Sequence, residues 1–188
     1  MFSPIADIEV IQQRNKREED SLLSSQVAQE IAIQTKKIIP DSVNTIQLKT
    51  DENQSQEIAM AIFKIISICE TQPSDNKYAN IPDILIKILD SLNQDFGLFI
   101  VYQGFKRTED NQMSQYIKKR ELSLFTLGLI NLIPIKSSAS MVCFIIDKKN
   151  KKLRYYLKSS SDDRDPTVAL TIKSMVYHSV MSYFQAEK

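Results

Sequence analysis

Tryptophan is absent from this chain, histidine occurs once, and its 188 residues include only two cysteines and three glycines. Each shortage narrows the chemistry. A single imidazole is available as a general base, and His178 lies in the helical-looking segment MVYHSVMSY, where a surface position is a better reading than a catalytic one. Cys69 in IISICE and Cys143 in MVCFII are too few and too far apart for a disulfide framework or a zinc site, and read as buried thiols acting as small hydrophobes. Three glycines supply neither G-x-x-x-x-G-K-[ST] nor G-x-G-x-x-G, and no G-x-S-x-G or H-E-x-x-H occurs. No run reaches the roughly 18–20 apolar residues that span a bilayer. The longest, Leu122 to Ile135, carries Ser123, Thr126 and Asn131. A basic excess is missing as well: 24 Lys and Arg stand against 23 Asp and Glu, a balance that argues against a nucleic-acid binder.

What is present is globular. Hydrophobic residues make up 43% and charged residues 25%, enough apolar content for one domain with a full core spanning residues 1–188. No Pro/Gly-rich linker divides the chain, and residues 1–4 read as a flexible terminus. IADIEVI alternates Ile8 and Val10 against Asp7 and Glu9, the pattern of a strand. After the charged run RNKREED, Asp20 or Ser21 caps a helix over Leu22–Ile39, stopped by Pro40-Asp41. VNTIQL reads as a short strand. The next helix opens with an Asp51/Gln54 capping box and carries the stripe Ile58, Ile62, Ile65, Ile66 and Cys69. Pro82 suits the first turn of another, whose core face runs through Leu85 and Leu89.

Leu98 to Tyr102 is continuously apolar, as a strand covered on both faces is. Gln112–Leu132 reads as a helix weakened by Thr126 and Gly128. SMVCFIID and LRYYL, joined by DKKNKK, form a β-hairpin. SSSDDRDP reads as a loop whose Asp165-Pro166 opens a last helix. There Val168, Ile172, Met175, Val176 and Ser179 line one side, and Leu170, Tyr177, Met181 and Phe184 another. The order predicts an α/β class: a single-domain sandwich of a mixed β-sheet and helices, with a β-hairpin near the C-terminus followed by a C-terminal helix.

Two places could meet a partner. Gly104, Phe105, Lys106 and Arg107 leave the Leu98–Tyr102 strand, where open α/β sheets place ligands. The residues also fit a protein contact, since aromatics and Arg dominate interface hot spots. Lys148, Lys149, Lys151 and Lys152 crowd the hairpin turn, as a patch for phosphates or an anionic surface, or simply to solvate an exposed turn. The carboxylates Asp162, Asp163 and Asp165, like Glu109-Asp110, read as solvated loop residues rather than a cation site. No catalytic residue, metal or cofactor is expected.

The segments LFIVYQGFKRT and LFTLGLINLIPIKSSASMVCFIID, the charged hairpin and DRDPT before the last helix resemble bacterial envelope lipoproteins. These share the α/β fold of the TolB N-terminal domain and of the curli secretion lipoprotein. The resemblance implies a non-enzymatic cell-envelope protein, periplasmic or outer-membrane associated, that binds other proteins or self-associates. It would touch the membrane only through a lipid anchor on a leader preceding residue 1, because the chain shows no lipid-attachment cysteine. The alternative is a cytoplasmic small-molecule or nucleotide-binding α/β domain using the strand exit near Gly104.

Overall fold

The computed structural model describes residues 1–40, 52–71, 80–125 and 134–186. Strand β1 (Ile5–Ile11) leads through a 3-10 turn (Gln13–Asn15) into the short β2 (Arg17–Glu19). Helices α1 (Ser21–Ile38), α2 (Glu52–Thr71) and α3 (Asp83–Ser91) precede β3 (Phe96–Arg107). Then come α4 (Glu109–Phe125), the hairpin β4 (Ser137–Asp147) and β5 (Lys152–Asp162), and α5 (Ala169–Ala186). The sheet order is β2-β1-β3-β4-β5, with β1 and β3 parallel and every other pair antiparallel. The expected α/β sandwich around a mixed sheet is the observed architecture.

Successive side chains of a strand point to opposite faces, so each face recruits its own helices. Phe99, Val101, Val142 and Phe144 pack beneath α2 and α3, meeting Ile58, Ile62, Ile65, Leu85 and Leu89. Ile8, Ile100, Tyr102, Met141 and Cys143 pack beneath α1 and α5, meeting Val27, Ile31, Ile172 and Val176. Asp20 caps α1 as its sequence suggested, its carboxylate accepting from the Leu23 N–H at 3.0 Å. The two cysteines are both free and buried, and burial pushes the Cys143 thiol up to about 12.

Several expectations are corrected. The first residues are not a loose end: Phe2 is buried, stacks on Phe99 with ring centroids 4.1 Å apart, and donates its N–H to the Leu98 carbonyl at 3.1 Å. Arg17–Glu19, within the charged run, is an edge strand whose ladder with β1 needs backbone groups rather than apolar side chains. Ser159–Asp162 is strand rather than loop, paired with Ser138–Met141 for the same reason. Asp165 caps a turn before α5 instead of the helix, accepting from the Thr167 N–H and hydroxyl at 2.8 and 2.6 Å. Val168, just before α5, and Leu170 and Tyr177 on it are exposed, so the helix is buried over a narrower arc than its sequence suggests. α4 begins at Glu109, three residues before the predicted start. The predicted strand VNTIQL, the Asp51 capping position and the end of the Gln112–Leu132 helix lie outside the described residues.

Candidate site: an open trough on the sheet

Gly104, Phe105, Lys106 and Arg107, expected to leave the strand, lie inside β3, which stays paired with both neighbours beyond Tyr102, and they do not act together. Gly104 is needed for space rather than for an unusual backbone. A Cβ there would overlap Pro166 Cβ and come within 2.9 Å of Pro166 Cγ and of the Ser138 carbonyl oxygen. Pro166, leading into α5, therefore seats directly on the strand. The Tyr102 hydroxyl fixes it there by donating to the Pro166 carbonyl at 2.9 Å. Burial, with Asp165 nearby, holds that phenol far above its ordinary value. Lys106 falls, by strand alternation, on the same face as Gly104.

Arg107 turns inward to the end of the sheet. Its guanidinium donates to the Ile135 carbonyl at 2.9 Å, to Asn111 Oδ1 at 2.8 Å and to Asn15 Oδ1 at 3.2 Å. Asn111, itself buried, donates to the Gln12 carbonyl at 2.6 Å, and Gln115 donates to Asn15 Oδ1 at 2.9 Å. Arg14 and Asn15 adopt left-handed backbone (φ 60° and 62°), which aims the Asn15 amide at this cluster. The carboxyl ends of β1 and β3, where the alternative reading would place a ligand, are thus filled by a polar plug tying the 3-10 turn, β3 and α4 together.

Phe105 faces the other way from Gly104 and Lys106. Half-buried, with the Arg107 guanidinium 5.7 Å from its ring centroid, it lies on the α2 face of the sheet. On that face β1, β3 and β4 turn from apolar to polar at the same level, and β5 does so one pair earlier, at Lys158 opposite Val142. Going along β3, Phe99 and Val101 give way to Gln103 and Phe105. The antiparallel β4 matches them with Phe144, Val142, Ser140 and Ser138, β1 with Ile5, Asp7 and Glu9, and β5 with Tyr156, Lys158 and Ser160. Helices α2 and α3 cover the apolar half. Among the described residues the polar half is an open floor.

Two adjoining cavities occupy it, sharing Gln103 and Ser140. One, of about 380 Å³, runs beneath α2 between Phe63, Glu70 and Val101, and is closed at the β5 side by a 2.5 Å ion pair from Lys158 to Glu70. The other, of about 290 Å³, lies between Phe105, Ser138, Asp7 and Glu9, with Arg17 bonded to Glu9 at 3.1 Å. Two carboxylates against one already paired guanidinium make the second cavity acidic. A phosphate placed there would meet carboxylate repulsion, which disfavours a nucleotide. His178 is exposed on α5, behind the opposite face, so no imidazole reaches the trough serines.

The family, protein and structure comparisons return no match for this chain. Its own geometry therefore carries the functional argument.

The lysine patch is only partly a patch. Lys148 pairs with Asp90 at 3.2 Å, while Lys149, Lys151 and Lys152 are exposed. The turn is organised by Asp147, whose carboxylate accepts from the Asn150 N–H at 3.0 Å and side-chain amide at 2.8 Å. Burial works against the charged carboxylate. The Asn150 bonds, Arg154 and the Lys149 N–H outweigh it and hold Asp147 below its ordinary value. The acidic loop residues go separate ways: Asp162 accepts from the Ser138 hydroxyl, Asp163 from the Lys136 N–H and Asp165 from Thr167. Among the described residues no group of His, Cys, Asp and Glu is gathered to hold a metal ion. Nor is any described helix long and apolar enough to cross a membrane.

The sequence reading missed the trough. Its signal is the common level at which β1, β3 and β4 turn polar, and that level exists only once the register is known.

Proposed function

We propose that this chain is a non-enzymatic domain of the bacterial cell envelope, of lipoprotein type, that works through protein–protein contact or self-association, with the open half of the α2 face as its contact surface. The observation that carries the contact is the trough itself. Among the described residues, a sheet face that is apolar under its helices turns polar beyond them and is left uncovered. Its floor offers the hydroxyls of Ser138 and Ser140 and the amide of Gln103, with Phe105 as the aromatic anchor, a mixture suited to a polypeptide surface. Beside it runs β5, an eleven-residue strand at the sheet edge, and no described strand pairs with its outer side. Such an edge accepts an added strand from a second chain. The envelope placement rests on the sequence resemblance.

A second reading uses the same residues. The 290 Å³ cavity beside Gly104 and Phe105 has the size of a small-ligand site. Its acidic rim favours a cationic or neutral polar molecule over the nucleotide first considered.

Light scattering over a concentration series separates the two. The contact reading expects mass to rise with concentration, or a stable complex with a protein partner, and expects Gln103→Arg to weaken either at least tenfold. Gln103 is exposed, so that change should leave stability within about 0.5 kcal/mol. A monomer at every concentration that binds no protein but takes up a small polar molecule would favour the second reading.

A further inference from the structure

We infer that the trough takes an extended polypeptide segment carrying a bulky apolar side chain and, two residues away on the same side, a lysine or arginine. The inference rests on the contact reading above and names the partner's chemistry. The two cavities differ in kind. The larger has Val101 and Val142 in its floor and Phe63 and Ile66 of α2 in its wall, with Phe63 46% exposed. An apolar side chain seated there leaves water and covers that ring. The smaller is lined by Asp7, Glu9 and Arg17 at the β1–β2 end and by Phe105 on β3. The register sets it one strand over and one same-face step along from the larger, a diagonal of roughly 7–8 Å. Side chains on one side of an extended chain recur every two residues, about 7 Å apart, so alternate positions of one segment reach both cavities.

Charge identifies the second side chain. The two cations lining the cavities are already engaged, Arg17 with Glu9 and Lys158 with Glu70. Arg107, one row nearer the sheet end, is spent on the plug. Among the described residues no hydrogen bond or ion pair engages the half-buried Asp7 carboxylate. Glu19 stands opposite Glu9 in the β1–β2 ladder, on the same face, and adds a second unmatched carboxylate. An acidic segment would be repelled at this end of the trough. A lysine or arginine would lay its apolar stem along Phe105 and bring its head to Asp7, within reach of the Ser138 and Ser140 hydroxyls.

Panning a library of random short peptides against the full chain tests this. Bound peptides are expected to be enriched in Lys or Arg two residues from Leu, Ile, Phe or Met. Calorimetry with the strongest of them should show about tenfold weaker binding to Asp7→Asn, and the same loss on the parent when the peptide's basic residue is replaced by Glu. That Glu peptide should regain binding on Asp7→Lys. Circular dichroism of Asp7→Asn should match the parent, because the change keeps the shape and removes no bond. Peptides that are lost in Gln103→Arg, yet show no basic preference or bind Asp7→Asn like the parent, overturn the inference and leave the contact reading standing. Peptides indifferent to Gln103→Arg count against both. Capture of no peptide also overturns the inference, and light scattering then decides the contact reading by itself. Free arginine amide that binds as tightly as the peptides overturns it too, by giving the smaller cavity to a small cation.

Discussion

Replacing Gly104 with alanine is expected to lower the unfolding free energy by about 3 kcal/mol, the cost of forcing a methyl group into a packed core that cannot yield. The added carbon would overlap Pro166 and sit 2.9 Å from the Ser138 carbonyl oxygen. Carbon atoms in contact settle at about 3.5–4.0 Å. Neither neighbour moves cheaply: Ser138 is held in the β4 ladder, and Pro166 is tied to Tyr102. Urea denaturation should show a midpoint far below the parent with an unchanged slope. The double variant Gly104→Ala/Pro166→Gly removes both proline carbons from the contact. It should be less destabilised than the two single changes together, and only partly so, because the Ser138 oxygen remains. Additive effects would show that Pro166 does not set the requirement for glycine.

Arg107→Ala is expected to cost about 2 kcal/mol by breaking the plug at the sheet end. Three acceptors lose a charged donor, and Asn15 and Asn111 lose the group that orients both. Arg107→Lys should recover little. An ammonium on a flexible stem does not reproduce the planar fork that reaches the Ile135 carbonyl, Asn111 and Asn15 together. The readout is again chemical denaturation, with amide exchange at Asn111 rising in both variants. Stability equal to the parent would mean that the network is ornament and that Arg107 is available for an outside partner.

Much of the architecture was legible because burial writes itself into spacing. The stripe on α2, the cap of α1 and the continuous apolar runs of β3 and β4 all follow from one face, or two, being removed from water. What escaped was structure held by backbone groups. β2 and the last turns of β5 are polar in composition and become strands because a neighbour offers a ladder. The site escaped for a related reason. Read along the chain, Gly104 to Arg107 looks like one functional cluster, and alternation divides it between a packing contact, the trough, the opposite face and the plug. The trough instead joins Asp7, Gln103, Ser140 and Lys158 from four strands, a neighbourhood set by register alone.

The most direct test of the contact surface is photo-crosslinking in native cells, from a light-activated residue placed at Gln103 and, as a control, at the exposed Lys173 on α5 beyond the other face of the sheet. A discrete covalent adduct to a protein, or to a second copy of this chain, is expected from position 103 and not from 173. No adduct at 103, or the same adducts from both positions, would contradict the assignment of the open half of the sheet as a protein-binding surface.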